Sequence, residues 1–320
     1  MTQVKLTALL KGLASYVPGA RRYFCSGSGG TVSARYCYAV WMRHLVKAWQ
    51  TGLITRLDKI AELGPGDSLG IGLCALLCGA KEYYALDAKP HASLERNNEI
   101  FDELVGLFER RSAIPDDGEF PSVFPVLEDH SFPRKILTEN ALQNSLHPDR
   151  LRAVRRALSD GRSGDGIRII YIAPWQGVRL PEIEDGLDMV LSQAVMEHVE
   201  DVPGTYTELY RWLRPGGFMS HTIDYRSHGY ARAWNGHWAV SDPIWAVIRG
   251  KRPYLINRLP HSAQIAAMEN AGLTIVLEIR ALESETSRKS LARRFRALDD
   301  DDLCTSGAFV QARKPMAVKV

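Results

Sequence analysis

Residues 61–70 run Ala61-Glu62-Leu63-Gly64-Pro65-Gly66-Asp67-Ser68-Leu69-Gly70, and Leu86-Asp87 follows about twenty positions later. Glycines at 64 and 66 allow a turn so tight that backbone, not side chain, meets a ligand. An acidic residue one strand later suits the two hydroxyls of a ribose. A dinucleotide loop would carry its third glycine at position 69, which is leucine. Glu62 would repel a pyrophosphate, and it places negative charge where a cationic ligand end would lie. A carboxylate on each side of the turn fits a positively charged nucleoside ligand better than NAD.

The segments that follow keep a consistent order. Ile167 to Ile172 is expected to form a buried strand, followed by Ala173-Pro174-Trp175. Leu187 to Leu191 is a second strand and runs into Ser192-Gln193-Ala194-Val195-Met196-Glu197-His198-Val199. A helical stretch from Pro203 to Leu213 meets Arg214-Pro215-Gly216-Gly217, a helix stop, before a strand from Phe218 to Ile223. With "E-L-G-P-G" after the first strand, "E-H-V" after a later one and "L-R-P-G-G" before the next, the chain resembles the class I S-adenosylmethionine-dependent methyltransferases. The resemblance covers roughly residues 57 to 280, with a weaker final strand near 307–312. It implies an α/β, Rossmann-like fold: a seven-stranded, mostly parallel sheet with an antiparallel last strand. It also implies S-adenosylmethionine as cofactor, held by Glu62, Gly64, Gly66, Asp67, Ser68, Asp87, Pro174, Trp175, Ser192 and Gln193. Within that set the glycine turn lies under the amino-acid end, Asp87 on the ribose, and Ala173 to Trp175 beside the adenine.

Composition agrees with a globular enzyme. At 320 residues the chain can bury one large core plus appendages, and 45% hydrophobic content is ordinary. No stretch approaches the eighteen uninterrupted apolar residues of a membrane span, and Lys11 breaks the N-terminal apolar run. Cys25, Cys37, Cys74, Cys78 and Cys304 form no C-x-x-C pair, which fits reduced thiols in the cytoplasm. A net charge of +3 is too small to imply a nucleic acid as partner. Oligomeric state is left open.

Three regions exceed a minimal methyltransferase domain, assigned here to 57–320. Residues 1–56 are expected to be a helical extension, with Thr31 or Ser33 capping a helix that carries Tyr36, Val40, Trp41, Leu45 and Trp49. Residues of about 112–162 form an insertion, expected to act as a helical cap over the cofactor edge. Its arginines Arg150, Arg152, Arg155 and Arg156 belong to a solvated face, or in part to a phosphate or carboxylate of the substrate. The third region, Asp224 to His261, leaves the ligand-facing end of a strand and carries His228, His237, Trp234, Trp238 and Trp245.

Methyl transfer from a sulfonium needs an aligned nucleophile, and a hydroxyl acceptor also needs a base. His198 is the first candidate for that base, then His228 and His237, with Asp224 orienting an imidazole. His221, Trp234, His237 and Trp238 are candidates for binding the acceptor. No metal is expected: the spacing of His221, Asp224, His228 and His237 matches no cage, and Ala194 replaces the first glutamate of the "E-x-x-E-H" metal site of some quinone-pathway methyltransferases. The chain lacks the Asn/Asp-Pro-Pro-aromatic tetrad of nucleobase amine methyltransferases, having Ser192-Gln193-Ala194-Val195 there. The expected reaction is O-methylation of a small molecule or glycan, a sugar or secondary metabolite. N-methylation of a small amine and a non-catalytic, cofactor-binding subunit are the alternatives, and a nicotinamide oxidoreductase is discounted by Leu69 and Glu62.

Overall fold

A computed structural model describes residues 4–17, 30–54, 56–162, 166–284 and 287–317; Cys25 lies outside them. In chain order the elements are α1 (Leu6–Ala14), α2 (Ala34–Gln50), β1 (Lys59–Leu63), α3 (Gly70–Leu77), β2 (Glu82–Leu86) and α4 (Leu94–Glu109). Next come α5 (Glu139–Ser145), α6 (Pro148–Asp160), β3 (Arg168–Ile172), β4 (Leu187–Gln193), α7 (Val202–Trp212) and β5 (Leu213–Asp224). The chain then forms α8 (Asp242–Arg249), α9 (His261–Asn270), β6 (Thr274–Leu282), α10 (Asp300–Cys304) and β7 (Thr305–Arg313).

The strands alternate side chains between two covered faces. Ile60, Tyr83, Met189 and Leu191 pack with α2, α3 and α4, whereas Ala61, Tyr84, Leu86 and Val190 pack with α7 and α9. Each such fully buried apolar side chain contributes about 1.5–3 kcal/mol, so both faces must be covered. The seven strands lie in the order β3-β2-β1-β4-β5-β7-β6, parallel from β3 to β5, with β7 antiparallel to both neighbours. The expected mixed sheet is therefore present. From β1 the chain runs outward to β3 and then returns to β4, so the sheet's switch point lies between β1 and β4. A crevice beyond their carboxyl ends is where ligands of such sheets bind.

The "L-R-P-G-G" motif has a structural role at the opposite edge. Arg214 Nε donates to Oδ1 of buried Asp188 at 2.6 Å, while Asp188 Oδ2 accepts from the Asp58 and Lys59 amides. A Cβ at Gly217 would stand 2.7 Å from the Leu187 carbonyl oxygen, so the β4–β5 entry needs glycine there.

Helix α2 begins at Ser33, whose side chain accepts from the Tyr36 amide as expected. It is not a one-faced stripe. Tyr38, Ala39, Arg43 and His44 are buried along with Val40, Trp41 and Leu45, because the insertion covers what the sheet does not. Arg43 Nε donates to the Pro125 carbonyl at 3.0 Å, and Thr222 of β5 donates to the Phe124 carbonyl at 3.2 Å.

The insertion thus divides in two. Its stretch around Phe124 reaches the end of β5, but α5 and α6 pack against α3, α4 and β3. Arg150 donates to the Leu76 and Ala80 carbonyls, capping the end of α3 away from the glycine turn. Arg155 pairs with Asp102 and Arg152 with Asp149. The helices of the insertion therefore cover the outer helix layer rather than the cofactor edge; Arg150 ties α6 to α3, and Arg152 and Arg155 form exposed ion pairs.

Candidate active site

The glycine turn joins β1 to α3 and is held from three sides. Gly64 and Gly66 sit at φ +64° and +75°, a region in which only glycine is unstrained. A Cβ at Gly64 would come within 2.6 Å of Val195, which places the chain leaving β4 directly against the turn. Thr31 clasps the far side: its hydroxyl donates to the Pro65 carbonyl at 2.7 Å and accepts from the Ser68 amide at 3.0 Å. Ser68 Oγ donates back to the Thr31 carbonyl at 2.5 Å, so its polar atoms fasten the turn instead of facing a ligand. The Leu69 amide donates to Asn97 of α4 at 2.9 Å.

Both flanking carboxylates are close to the turn. Asp87, buried at the end of β2, accepts from the Gly66 amide at 3.3 Å and the Ala88 amide at 2.6 Å. Glu62 is 1% exposed beneath the turn and accepts from Tyr83 at 2.5 Å. Burial pushes its carboxyl up to about 8, with the Tyr83 hydrogen bond opposing and the charge of Asp87 reinforcing the shift. The Trp175 amide donates to the Asp87 carbonyl at 3.0 Å, while the Trp175 ring turns inward against Trp212, at 5.7 Å. Pro174 remains exposed beside it.

At the ends of β4 and β5 a different set converges. A short helical turn, Met196–His198, follows β4, and Asn257 clamps it by donating to the Met196 and Val199 carbonyls. His198 Nδ1 lies 2.9 Å from the Tyr254 carbonyl. A carbonyl can only accept, so Nδ1 carries the proton and Nε2 keeps its lone pair. Burial, and then the neighbouring His228, push His198 down to about 4. The two rings stand edge to face at 5.0 Å. His228 Nε2 is 3.3 Å from Asp224 Oδ2 and 4.0 Å from Glu197 Oε1. Burial raises the Asp224 carboxyl, but its bonds to His228 and the Arg226 amide outweigh that and leave it below its usual range. Ala194, His228 and Tyr254 all hold positive φ, strain of the kind that collects where a site fixes its geometry. A cavity of about 450 Å³ opens here, lined by Lys5, Asp224, Arg226, His228, Arg232 and Trp234 among others.

Several expected site residues lie elsewhere. His221 is fully buried in β5 and shares a hydrogen bond with Ser192 at 2.8 Å, and burial pushes it down to about 3. His237 and Trp238 turn into a small core with Phe295, and Trp238 Nε1 donates to the Arg258 carbonyl. Of the "W-N-G-H-W" stretch, Trp234 lines the cavity. Gln193 is half-buried, its amide oxygen without a hydrogen-bond partner among the described residues, and Asp67 is half-buried at the turn.

Glu197 was passed over in favour of the histidine beside it. Its side chain is 3% exposed, and neither carboxylate oxygen has a hydrogen-bond partner among the described residues. The Glu197 and Asp224 amides lie near it, outside hydrogen-bond geometry. Burial, reinforced by the Asp224 charge, raises its carboxyl well above the usual range.

Residues 138–220 match the family described as a methyltransferase domain, a span from α5 to the middle of β5. No curated protein matches the chain. Among solved structures, an S-adenosylmethionine-dependent methyltransferase of Mesorhizobium loti is 16% identical, over 84% of this chain and 97% of that one, with a TM-score of 0.41. Another from Methanosarcina mazei is 10% identical over 84% and 97%, with a TM-score of 0.43. Phosphoethanolamine N-methyltransferase 2 of Haemonchus contortus, in complex with S-adenosyl-L-methionine, is 13% identical over 88% and 57%, with a TM-score of 0.42. The family match falls on the segments that carry two of the three motifs, and the third motif occupies the switch point of the sheet. No helix among the described residues is long and apolar enough to cross a membrane.

Proposed function

We propose that this class I S-adenosylmethionine-dependent methyltransferase moves the methyl group onto a hydroxyl of a small, polar acceptor, a sugar or other secondary metabolite. One observation carries the choice: an Asp224–His228 pair faces the cavity, held at 3.3 Å at the end of β5. A neutral amine brings its own lone pair, whereas a hydroxyl needs a proton acceptor as the bond forms. The acceptor oxygen attacks the methyl carbon, and the carbon–sulfur bond breaks with its electron pair going to sulfur. The hydroxyl proton passes to the His228 imidazole, whose new charge Asp224 balances. His198, its Nδ1 proton given to Tyr254, orients the acceptor through Nε2. Its lowered basicity suits it to orienting the acceptor rather than taking the proton.

On the cofactor side, the turn at Gly64–Gly66 receives the amino-acid end, Asp87 the ribose hydroxyls and Pro174 the adenine edge. Cys37, Cys74, Cys78 and Cys304 are free thiols, which suits a cytoplasmic enzyme. The test is an acceptor screen read by S-adenosylhomocysteine release, with the product's new methyl located by mass spectrometry. Methyl on oxygen supports the assignment. Methyl on nitrogen moves it to the amine alternative, and cofactor binding without turnover on any acceptor supports the non-catalytic one.

A further inference from the structure

Glu197, His198 and His228 each offer a ligand atom, and all of these atoms lie within 4.8 Å of one another. They come from chain segments thirty residues apart that meet because β4 and β5 are neighbours. The expectation of no metal rested in part on Ala194 in place of a first glutamate; the fold instead brings His228 to the Glu197-His198 pair that the motif retains. We propose that Glu197, His198 and His228, with Asp224 beside them, hold a divalent first-row transition-metal ion such as Zn²⁺, Co²⁺ or Ni²⁺.

Four features support this. A carboxylate buried with both oxygens unpartnered is costly, and a cation in its path removes that cost. His198 donates Nδ1–H to a backbone carbonyl, the arrangement that fixes a metal-binding imidazole and aims its Nε2 lone pair. Within the set, His228 Nε2 lies 4.0 Å from Glu197 Oε1, near the roughly 3.4 Å edge of a tetrahedron with bonds of ~2.0–2.1 Å. Glu197 with two neutral imidazoles, and the charge of Asp224 nearby, favours a divalent cation, and imidazole with carboxylate suits zinc, cobalt or nickel over magnesium or calcium. The adjoining cavity gives an entry path past Asp224 and His228.

The inference shares its location with the acceptor site and rests on that assignment only for the ion's use. An ion here would hold the acceptor oxygen by coordination and lower its pKa. It would occupy the imidazole lone pairs that accept the proton in the metal-free enzyme.

The full chain, dialysed against a chelator, is titrated with Co²⁺ in a calorimeter and in a visible spectrophotometer, with no acceptor present. The expected result is saturable binding of a single ion per chain with a ligand-field spectrum, undisturbed by excess Mg²⁺. Binding should weaken by at least ~10-fold in both Glu197→Gln and His228→Asn. S-adenosylmethionine titrated into the same samples confirms that each variant is folded. Absent Co²⁺ binding in the wild type, or binding unchanged in both variants, overturns the proposal. If S-adenosylmethionine binding is intact in that case, the methyltransferase assignment stands.

Discussion

The two ends of the crevice treat their polar groups in opposite ways. At the cofactor end nearly every group is engaged: Thr31 with Ser68 and Pro65, Asp87 with Gly66 and Ala88, Glu62 with Tyr83. At the other end Glu197 has no hydrogen-bond partner among the described residues, and the Nδ1 bond of His198 leaves its Nε2 as the nitrogen with the lone pair. A ligand that presents the same shape to every member of a fold is met by preformed backbone. On the proposed reading an acceptor is met by side chains that remain unsatisfied until it arrives, at a cost of about 1–3 kcal/mol for each buried unpaired group.

The comparison breaks most readily at His228. In the chelated enzyme, His228→Gln is expected to lower turnover by ~10²–10⁴ while leaving cofactor affinity intact. S-adenosylhomocysteine release and calorimetry on the same protein check both halves. If affinity falls instead, the two ends are not separable. Next in size is Asp87→Ala, which removes the acceptor for both ribose hydroxyls and should weaken cofactor binding by roughly 1.5–3 kcal/mol. Unchanged affinity by calorimetry would withdraw Asp87 from the ribose.

Gly64→Ala sharpens the boundary between the ends, because the added methyl meets Val195 at 2.6 Å and the backbone is already at φ +64°. Thermal unfolding should show a loss of about 1–3 kcal/mol. Adding Val195→Ala should recover the steric part and leave the backbone part; no recovery would mean that the ends do not touch as described.

The smallest effect is a pH dependence. Glu62 titrates near 8 in the folded chain against an ordinary 4.5, so between those values the folded state holds a proton that the unfolded chain has lost. Stability of the free protein therefore falls as pH rises through that window. A cationic cofactor favours ionised Glu62, so its affinity should rise by about tenfold from pH 6.5 to 8 and then level off. Glu62→Gln should flatten the rise, and a slope that survives the substitution would assign it to another group.

The sheet was legible because its motifs mark strand ends: "E-L-G-P-G" closes β1, and "L-R-P-G-G" opens β5 through the buried Asp188–Arg214 pair. The glycine turn was legible for the same reason, with Ser68 held by Thr31. The acceptor end was less so. Residue type singled out His221, yet strand alternation already placed it on the apolar face with Met219 and Ile223, leaving Thr222 and Asp224 on the other. His237 follows no such period, and only the packing of Trp238 on Phe295 determines which way that loop turns. Glu197 stood in a quoted motif but became informative only when His228 was brought to it from another strand end.

The cofactor end is also local in the chain. The hydrogen bonds of the Thr31 clasp join residues 34 to 37 positions apart, and the Asp87–Gly66 and Glu62–Tyr83 bonds span 21. Made from the N-terminus at roughly 5–20 residues per second, the chain has all of these partners before β3 is synthesised. The ties at the acceptor end reach from Met196 to Asn257, 61 positions, and the β5–β7 pairing waits for residue 313. During synthesis, the ties around the glycine turn can form while the residues at the ends of β4 and β5 have not yet been translated.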